Sequence, residues 1–420
     1  MSLFDALGRA LHRVVHPQHV QEQEYLDRIA KAMGAQNAVA ERLQAQLGGL
    51  SEKLSRLALD KDVRGLHRDL TELRAASGRQ HRMLSQGLRF AEWNEALRID
   101  ERRIRRRLER LARSDRPVLV GPWAGEVGFE LLYWVPFVTW ALREAAVAPE
   151  RIVVVSRGGP ASWYAHLGGR YVDVLSCITP DEFRSRTEAQ KKQHDVGSLD
   201  REITRRVIAT EQLERPVLLH PGLMYRLFRP FWEQEATVHR VEDYARFERV
   251  RATANPALAA RLPADYVAVR FYFGSQFPDT PDNRAFAEST IRGLAASTDV
   301  VMLSPGFRVD DHRDFTPDMS SRIHRVDDLM TPERNLDVQT AVIAGARAFV
   351  GTYGGYAYLA PFCNVPAIAF YSVREGFHTY HLELADRVFR RMNTASLVAL
   401  DVRDAALLRT ALGAPQDLHA

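Results

Sequence analysis

Two glycine-bearing loops hold the residue types best suited to chemistry in this chain. The first, Gly351-Thr352-Tyr353-Gly354-Gly355-Tyr356, directly follows the apolar segment 348–350. Glycines let a backbone approach a ligand closely, and a helix starting after them offers unpaired N–H groups to an anion. Thr352 and the backbone of Gly354 and Gly355 are thus placed to hold a diphosphate. No Lys-Ser/Thr pair follows, so the loop is not a P-loop, and no GxGxxG spacing supports a dinucleotide fold. The competing account is a tight turn that only lets helix and strand pack.

The second loop, Gly121-Pro122-Trp123-Ala124-Gly125-Glu126-Val127-Gly128-Phe129-Glu130, also joins a strand to a helix. Glu126 in the loop and Glu130 one helical turn later are both expected to face a cleft. A carboxylate at a helix N-terminus is stabilised in its ionised form by the helix dipole, which suits a general base. Capping alone would also explain an acid there. Trp123 and Gly125 then lie on the acceptor side, and His220, closing the strand at 216–222, is the histidine best placed for acceptor contact or base work. On the other side, Arg270 sits on the strand 266–273 and, if that strand ends near Phe273, is aimed at the cleft to pair with a diphosphate, unless a structural carboxylate holds it. Ser304 ends the next strand, beside base or ribose, and Glu375 and His378 follow the last strand recognised, near ribose or sugar hydroxyls. No His/Cys/Asp/Glu cluster has metal spacing, and Asp310-Asp311 and Asp327-Asp328 read as solvated loop carboxylates. The expected catalysis needs no metal and no cofactor.

The elements that must position these residues begin after Pro117. Strand-like VLVGP (118–122), RIVVVS (151–156), YVDVLS (171–176) and PVLLHPG (216–222) alternate with helical segments. An aromatic helical stretch, 225–250, reads as a linker or lid. YVAVRFYF (266–273), DVVMLSPG (299–306), RIHRV and the strand–loop–helix–strand unit from Ala348 to Ser372 form a second set. Such alternation implies two parallel sheets with helices on both faces and a cleft at the carboxyl ends of their strands.

The paired units resemble GT-B glycosyltransferases, and their arrangement is similar to the lipopolysaccharide heptosyltransferases. Gly125-Glu126, followed by Leu131, Leu132 and Pro136, stands where that family has a Gly-Asp pair supplying the catalytic base, with Glu in place of Asp. Gly351–Gly355, Ala360-Pro361 and Val365-Pro366 through Tyr371 match the layout of its donor lobe. The likeness covers about residues 117–400. It implies an α/β fold of two Rossmann-like lobes, 116–250 for the acceptor and 251–405 for a nucleotide-sugar. It also implies sugar transfer to a hydroxyl acceptor, a glycan or glycolipid.

Outside that likeness, residues 1–17 read as an amphipathic helix and 18–115 as a coiled-coil stalk that self-associates. ERRIRRRLERLAR (101–113) crowds arginines around Ile104, Leu108 and Leu111, an arrangement suited to anionic lipid or to solvent. Residues 406–420 read as a tail. Lys+Arg 57 against Asp+Glu 53 leaves +4, which does not require nucleic acid. Cys177 and Cys363 sit in apolar runs as reduced thiols. With no signal pattern and no apolar span, a cytoplasmic protein is expected, peripheral at the inner membrane if lipid is bound. Two other classes stay open: a nucleotide-sugar epimerase, which would need a second carboxylate, and a non-catalytic coiled-coil scaffold.

Overall fold

Ten of the twelve strands among the described residues form two separate parallel sheets. The computed structural model describes residues 99–405 apart from 188–192, 308–311, 318–319 and 376. The helix expected at 1–17, most of the coiled coil and the tail at 406–420 lie outside the described residues. The first sheet comprises β1 (Val118–Val120), β2 (Ile152–Ser156), β3 (Arg170–Asp173) and β4 (Val217–Leu219), ordered β3-β2-β1-β4. Every residue of β1 and β2 is buried, as continuous Val/Ile/Leu runs require when both faces of a parallel sheet are covered.

Further on, the chain makes β5 (Tyr266–Arg270), β6 (Tyr272–Phe273), β7 (Asp299–Met302), β8 (Arg313–Asp314), β9 (Ile323–Arg325), β10 (Ala348–Thr352), β11 (Ala367–Tyr371) and β12 (Leu397–Asp401). Six of them form a parallel sheet, β12-β11-β10-β5-β7-β9, while β6 and β8 make a small antiparallel ribbon. The apolar run 266–273 reads as one strand, but the chain turns after Arg270. Thr352 holds the turn: its hydroxyl accepts from the Tyr272 amide and donates to the Tyr272 carbonyl, each at 3.0 Å. The edge strand β12 and the helix Thr379–Met392 before it were not anticipated.

Chain order sets the site. In the first sheet the connection runs from β1 out to β3 and returns to place β4 on the other side of β1. In the second it runs from β5 out to β9 and returns to place β10 beside β5. Ligands of open α/β sheets bind where the order reverses, outside the carboxyl ends of the strands. Those ends carry the loops 121–126 and 352–355.

The two sheets are fused rather than hinged. One apolar core runs through both and takes in Trp134, Phe228, Phe349 and Phe389. The Trp163 indole donates to Thr340 Oγ1 at 3.0 Å, and Leu336 N donates to Gly158 O at 2.7 Å. The connecting segment is stitched to both sides, Arg246 N to Pro136 O and Val250 N to Phe362 O. The aromatic helix Gly222–Trp232, expected as a linker or lid, is instead a core element with Met224, Leu227 and Phe228 wholly buried. Residues 99–112 are helical, and Ile104 and Leu111 enter the same core. This part of the segment read as stalk therefore packs on the α/β body. Its arginine face, with Arg102, Arg103, Arg105, Arg106 and Arg110, is exposed.

Candidate active site

Glu126 caps the helix Val127–Phe129 in position only. Its backbone is extended (φ −72°, ψ 147°), and its side chain makes no capping hydrogen bond. The carboxylate is exposed and lines a cavity of about 460 Å³ between the two sheets. That size lies within the roughly 300–1,000 Å³ of small-molecule pockets. Capping therefore does not account for Glu126.

Three first-lobe expectations are corrected by packing. Trp123 is fully buried, stacked on Trp134 at 5.8 Å and on Tyr225 at 6.2 Å, so it anchors the loop and touches no cavity. His220 is buried too: its Nδ1 accepts from Gly222 N, and its Nε2 lies 3.2 Å from Asp200 Oδ2. Glu130 faces inward rather than into the cleft. It opens a π-helical turn, Glu130–Trp134, whose five residues are all buried. One carboxylate oxygen accepts from Ser156 Oγ and from Tyr164 OH, and the other has no partner.

Burial pushes the Glu130 carboxyl up to about 7, against the pull of Ser156, Tyr164 and Arg157. Between its ordinary 4.5 and about 7 the folded chain holds a proton that the unfolded chain has released. Stability contributed by this group is therefore complete at low pH and falls as pH rises through that window, by ~3 kcal/mol in all. Glu130→Gln keeps an acceptor for Ser156 and Tyr164 and cannot ionise. Urea unfolding is expected to find it more stable than wild type at about pH 8 and equal at about pH 4. A constant difference across that range would mean the carboxyl does not titrate there.

Across the cavity stands the loop after β10. Gly351 is structural: a Cβ there would lie 2.0 Å from Arg270 O in the neighbouring strand. Thr352, Tyr353, Gly354, Gly355 and Tyr356 line the cavity, although the Thr352 hydroxyl is committed to Tyr272. The helix Gly355–Phe362 begins here, with the Ala357 and Tyr358 amides bonded to Gly354 O, and a helix start generally leaves its earliest amides to acceptors outside the helix. The two helix starts touch, since a Cβ on Gly355 would meet Val127 Cγ1 at 2.6 Å and Gly128 N at 2.8 Å. Only glycine permits that approach.

Arg270, itself buried, reaches the cavity from an ion pair with the half-buried Asp314. Its Nε and Nη2 bond Asp314 at 2.9 and 3.3 Å, Nη1 bonds Gln339 Oε1 at 2.7 Å, and the guanidinium lies 4.2 Å from the Tyr356 ring centroid. The structural carboxylate weighed from the sequence is thus present, and Arg270 still lines the cavity. His378 lines it as expected. Ser304 does not: it is buried, with its hydroxyl directed at Phe315 O. Glu375 is exposed and outside the lining.

Sequence reasoning missed Arg157, Arg184, Tyr133, His312 and His381, all lining residues. Arg157 had a signal, because Arg157-Gly158-Gly159 leaves the carboxyl end of β2 directly beside β1. His381 pairs through Nδ1 with Tyr133 OH from the other sheet, and no local pattern announces such a contact. Among the described lining residues three arginines and three histidines face one carboxylate, Glu126. Arginine donors thus line the cavity beside a single carboxylate, with Arg270 paired to Asp314 and Arg184 to Asp181. A second depression, about 520 Å³ and open to solvent, is lined by Asp173, Glu211, Glu333 and Asp337, with Arg334 its one cation, and would repel phosphate.

Among the described residues no group of three or more His, Cys, Asp or Glu is arranged to hold a metal. Among them also, no helix is long and apolar enough to cross a membrane.

No protein-family model matches the chain, and no curated protein matches its sequence. Solved structures similar to it include a glycosyl transferase family 9 protein from Veillonella parvula, at 12% identity and TM-score 0.36 over 73% of this chain and 91% of that one. The ADP-heptose lps heptosyltransferase II of E. coli aligns at 12% identity and TM-score 0.34 over 66% and 97%. A putative UDP-N-acetylglucosamine 2-epimerase from Listeria monocytogenes aligns at 12% and 0.30 over 61% and 79%. Likenesses this distant do not separate transferase from epimerase, and the cavity's own chemistry carries the functional reading.

Proposed function

We propose that this chain is a glycosyltransferase moving a sugar from a nucleotide-sugar to a hydroxyl acceptor. One observation carries the reading: Glu126 is the single carboxylate among the described residues of a cavity that three arginines and a glycine-rich helix start also line. The Glu126 carboxylate takes the acceptor's hydroxyl proton, and the freed oxygen pair forms the bond to the anomeric carbon. The bond from that carbon to the donor phosphate oxygen breaks, its electrons leaving on the diphosphate. Amides near Gly354 to Tyr356 and the Arg270 guanidinium stabilise that charge. With base and leaving group on opposite sides, the displacement inverts the anomeric centre, and no step in it requires a metal. An epimerase would need a second carboxylate, which the described lining lacks.

A thermal-shift series with UDP, ADP, GDP and dTDP tests this, with and without EDTA. One nucleotide at about 100 times its Kd should stabilise the fold by about 2.7 kcal/mol, unchanged by chelation. Indifference to all four would leave a scaffold as the better account.

The acceptor side of the reading is a lipid-linked or surface glycan. The exposed arginine face of residues 99–112 would hold a cytoplasmic enzyme at anionic headgroups, and the stalk read over 18–115 would self-associate. Co-sedimentation with phosphatidylglycerol vesicles, lost when Arg102, Arg103, Arg105 and Arg106 become Gln, is the expected result. Equal binding to phosphatidylcholine vesicles would rule out the electrostatic contact.

A further inference from the structure

We propose that Gln193 and Arg157 are positioning residues that clamp the backbone carrying Glu126; the inference rests on the reading of Glu126 as the base. Beyond β1 the chain leaves the sheet, and its buried N–H and C=O groups still need partners. Neighbouring strands supply two of them, Leu219 O for Gly121 N and Val155 O for Trp123 N, both at 2.9 Å. Side chains supply three more. Gln193 acts as a one-residue strand: its Nε2 donates to Pro122 O at 2.9 Å, and its Oε1 accepts from Ala124 N at 2.9 Å. Arg157 donates to Gly125 O through Nη2 at 2.8 Å and through Nε at 3.2 Å. Each residue from Gly121 to Gly125 thereby has one backbone group tied, and the next residue is Glu126.

A second layer orients the clamp. Asp200 Oδ1 accepts from Gln193 Nε2 at 2.8 Å, which sets the amide so that its NH₂ faces Pro122 O. Asp200 Oδ2 accepts from Gly197 N at 2.7 Å and lies 3.2 Å from His220 Nε2. Because His220 Nδ1 accepts from Gly222 N, its proton sits on Nε2, which is close to Asp200 without a hydrogen bond to it. Gln193, Asp200, His220 and Arg157 are each at most 5% exposed. A desolvated network of this kind is costly when incomplete and rigid when complete. It ends at the loop beneath the one carboxylate in the described lining of the cavity, so its rigidity is delivered where the base must be aimed.

The test measures hydrolysis of UDP-glucose, dTDP-glucose, GDP-mannose and ADP-glucose by the full chain, with water as acceptor, beside amide exchange over residues 121–126. For the donor that turns over, Gln193→Leu is expected to lower kcat about 100-fold with KM within about threefold, the scale of a ~1 Å misplacement. Exchange at Ala124 should rise at the same time. Asp200→Asn, one bond further from the loop, should lower kcat about 10-fold, and it serves if Gln193→Leu does not fold. Arg157→Lys should lower kcat more than it raises KM. Folded Gln193→Leu and Asp200→Asn proteins with wild-type kcat, while Glu126→Gln is inactive, would overturn the clamp and leave the base in place. If Glu126→Gln turns over normally, the base assignment fails and the clamp's catalytic role goes with it.

Discussion

Glu126→Gln is expected to lower the rate of sugar transfer by about 1,000-fold, within the usual range for loss of a general base. Affinity for the nucleoside diphosphate should stay within about threefold, because the nucleotide is assigned to the opposite wall near Gly354 and Arg270. Melting temperature should not move. The carboxylate makes no capping bond and is exposed, so an amide of the same shape costs the fold little. This combination separates the two accounts of an acid at a helix start. A dipole-stabilising role would lose roughly 0.5–1 kcal/mol of stability and leave turnover alone. Glu130→Gln is the paired control: its side chain is sealed behind the loop against Ser156 and Tyr164, so its effect belongs to stability and pH rather than to kcat.

Arg270→Met should be the most damaging single change to the fold, by about 3 kcal/mol or more, read as a drop in urea midpoint. Removing one partner of a buried ion pair leaves the other charge without compensation. Here Asp314 would lose both bonds from Arg270, and Gln339 Oε1 would lose its donor. Asp314→Asn, which keeps an acceptor for Arg270, should cost clearly less. The pair of variants also tests the donor assignment. If Arg270 meets the leaving diphosphate, Asp314→Asn should leave nucleotide affinity near wild type, while folded Arg270→Lys should weaken it about 10-fold, since an ammonium does not reproduce the planar fork. Equal affinity in both would make Arg270 a structural residue that happens to border the cavity.

Much of the architecture was legible from short apolar runs. Val118–Val120, Ile152–Ser156 and Tyr266–Arg270 are continuous buried strands, and continuous burial is the pattern a covered parallel sheet imposes. The two glycine loops were legible too, because strand-to-helix turns with close backbone approach tolerate few other residues. Side-chain direction was not. Glu126 and Glu130 are four apart, which on a helix means one face. Glu126, however, lies before the helix in extended backbone, and Glu130 enters a π-helical turn, so one carboxylate meets solvent and the other meets Ser156. Trp123 and His220 failed for a related reason. A residue just past a strand can turn toward the cleft or under the sheet, and only the volume available decides; Trp123 found the space between Trp134 and Tyr225. Edge strand β12 escaped because Leu397–Asp401 is only partly covered and lacks the uniform apolar run of the inner strands.

The amino-acid order alone determined which segments become parallel strands, where glycine must stand, and that an acidic residue begins the helix after β1. These depend on local hydrophobicity and backbone sterics, which act over a few residues. Tertiary structure decided which of two carboxylates reaches the cavity, that Arg270 arrives already paired with Asp314, and that Gln193, far along the chain, holds the loop at Pro122 and Ala124. Such choices follow from what can be desolvated together in three dimensions, a property of the packed whole that no stretch of neighbours encodes.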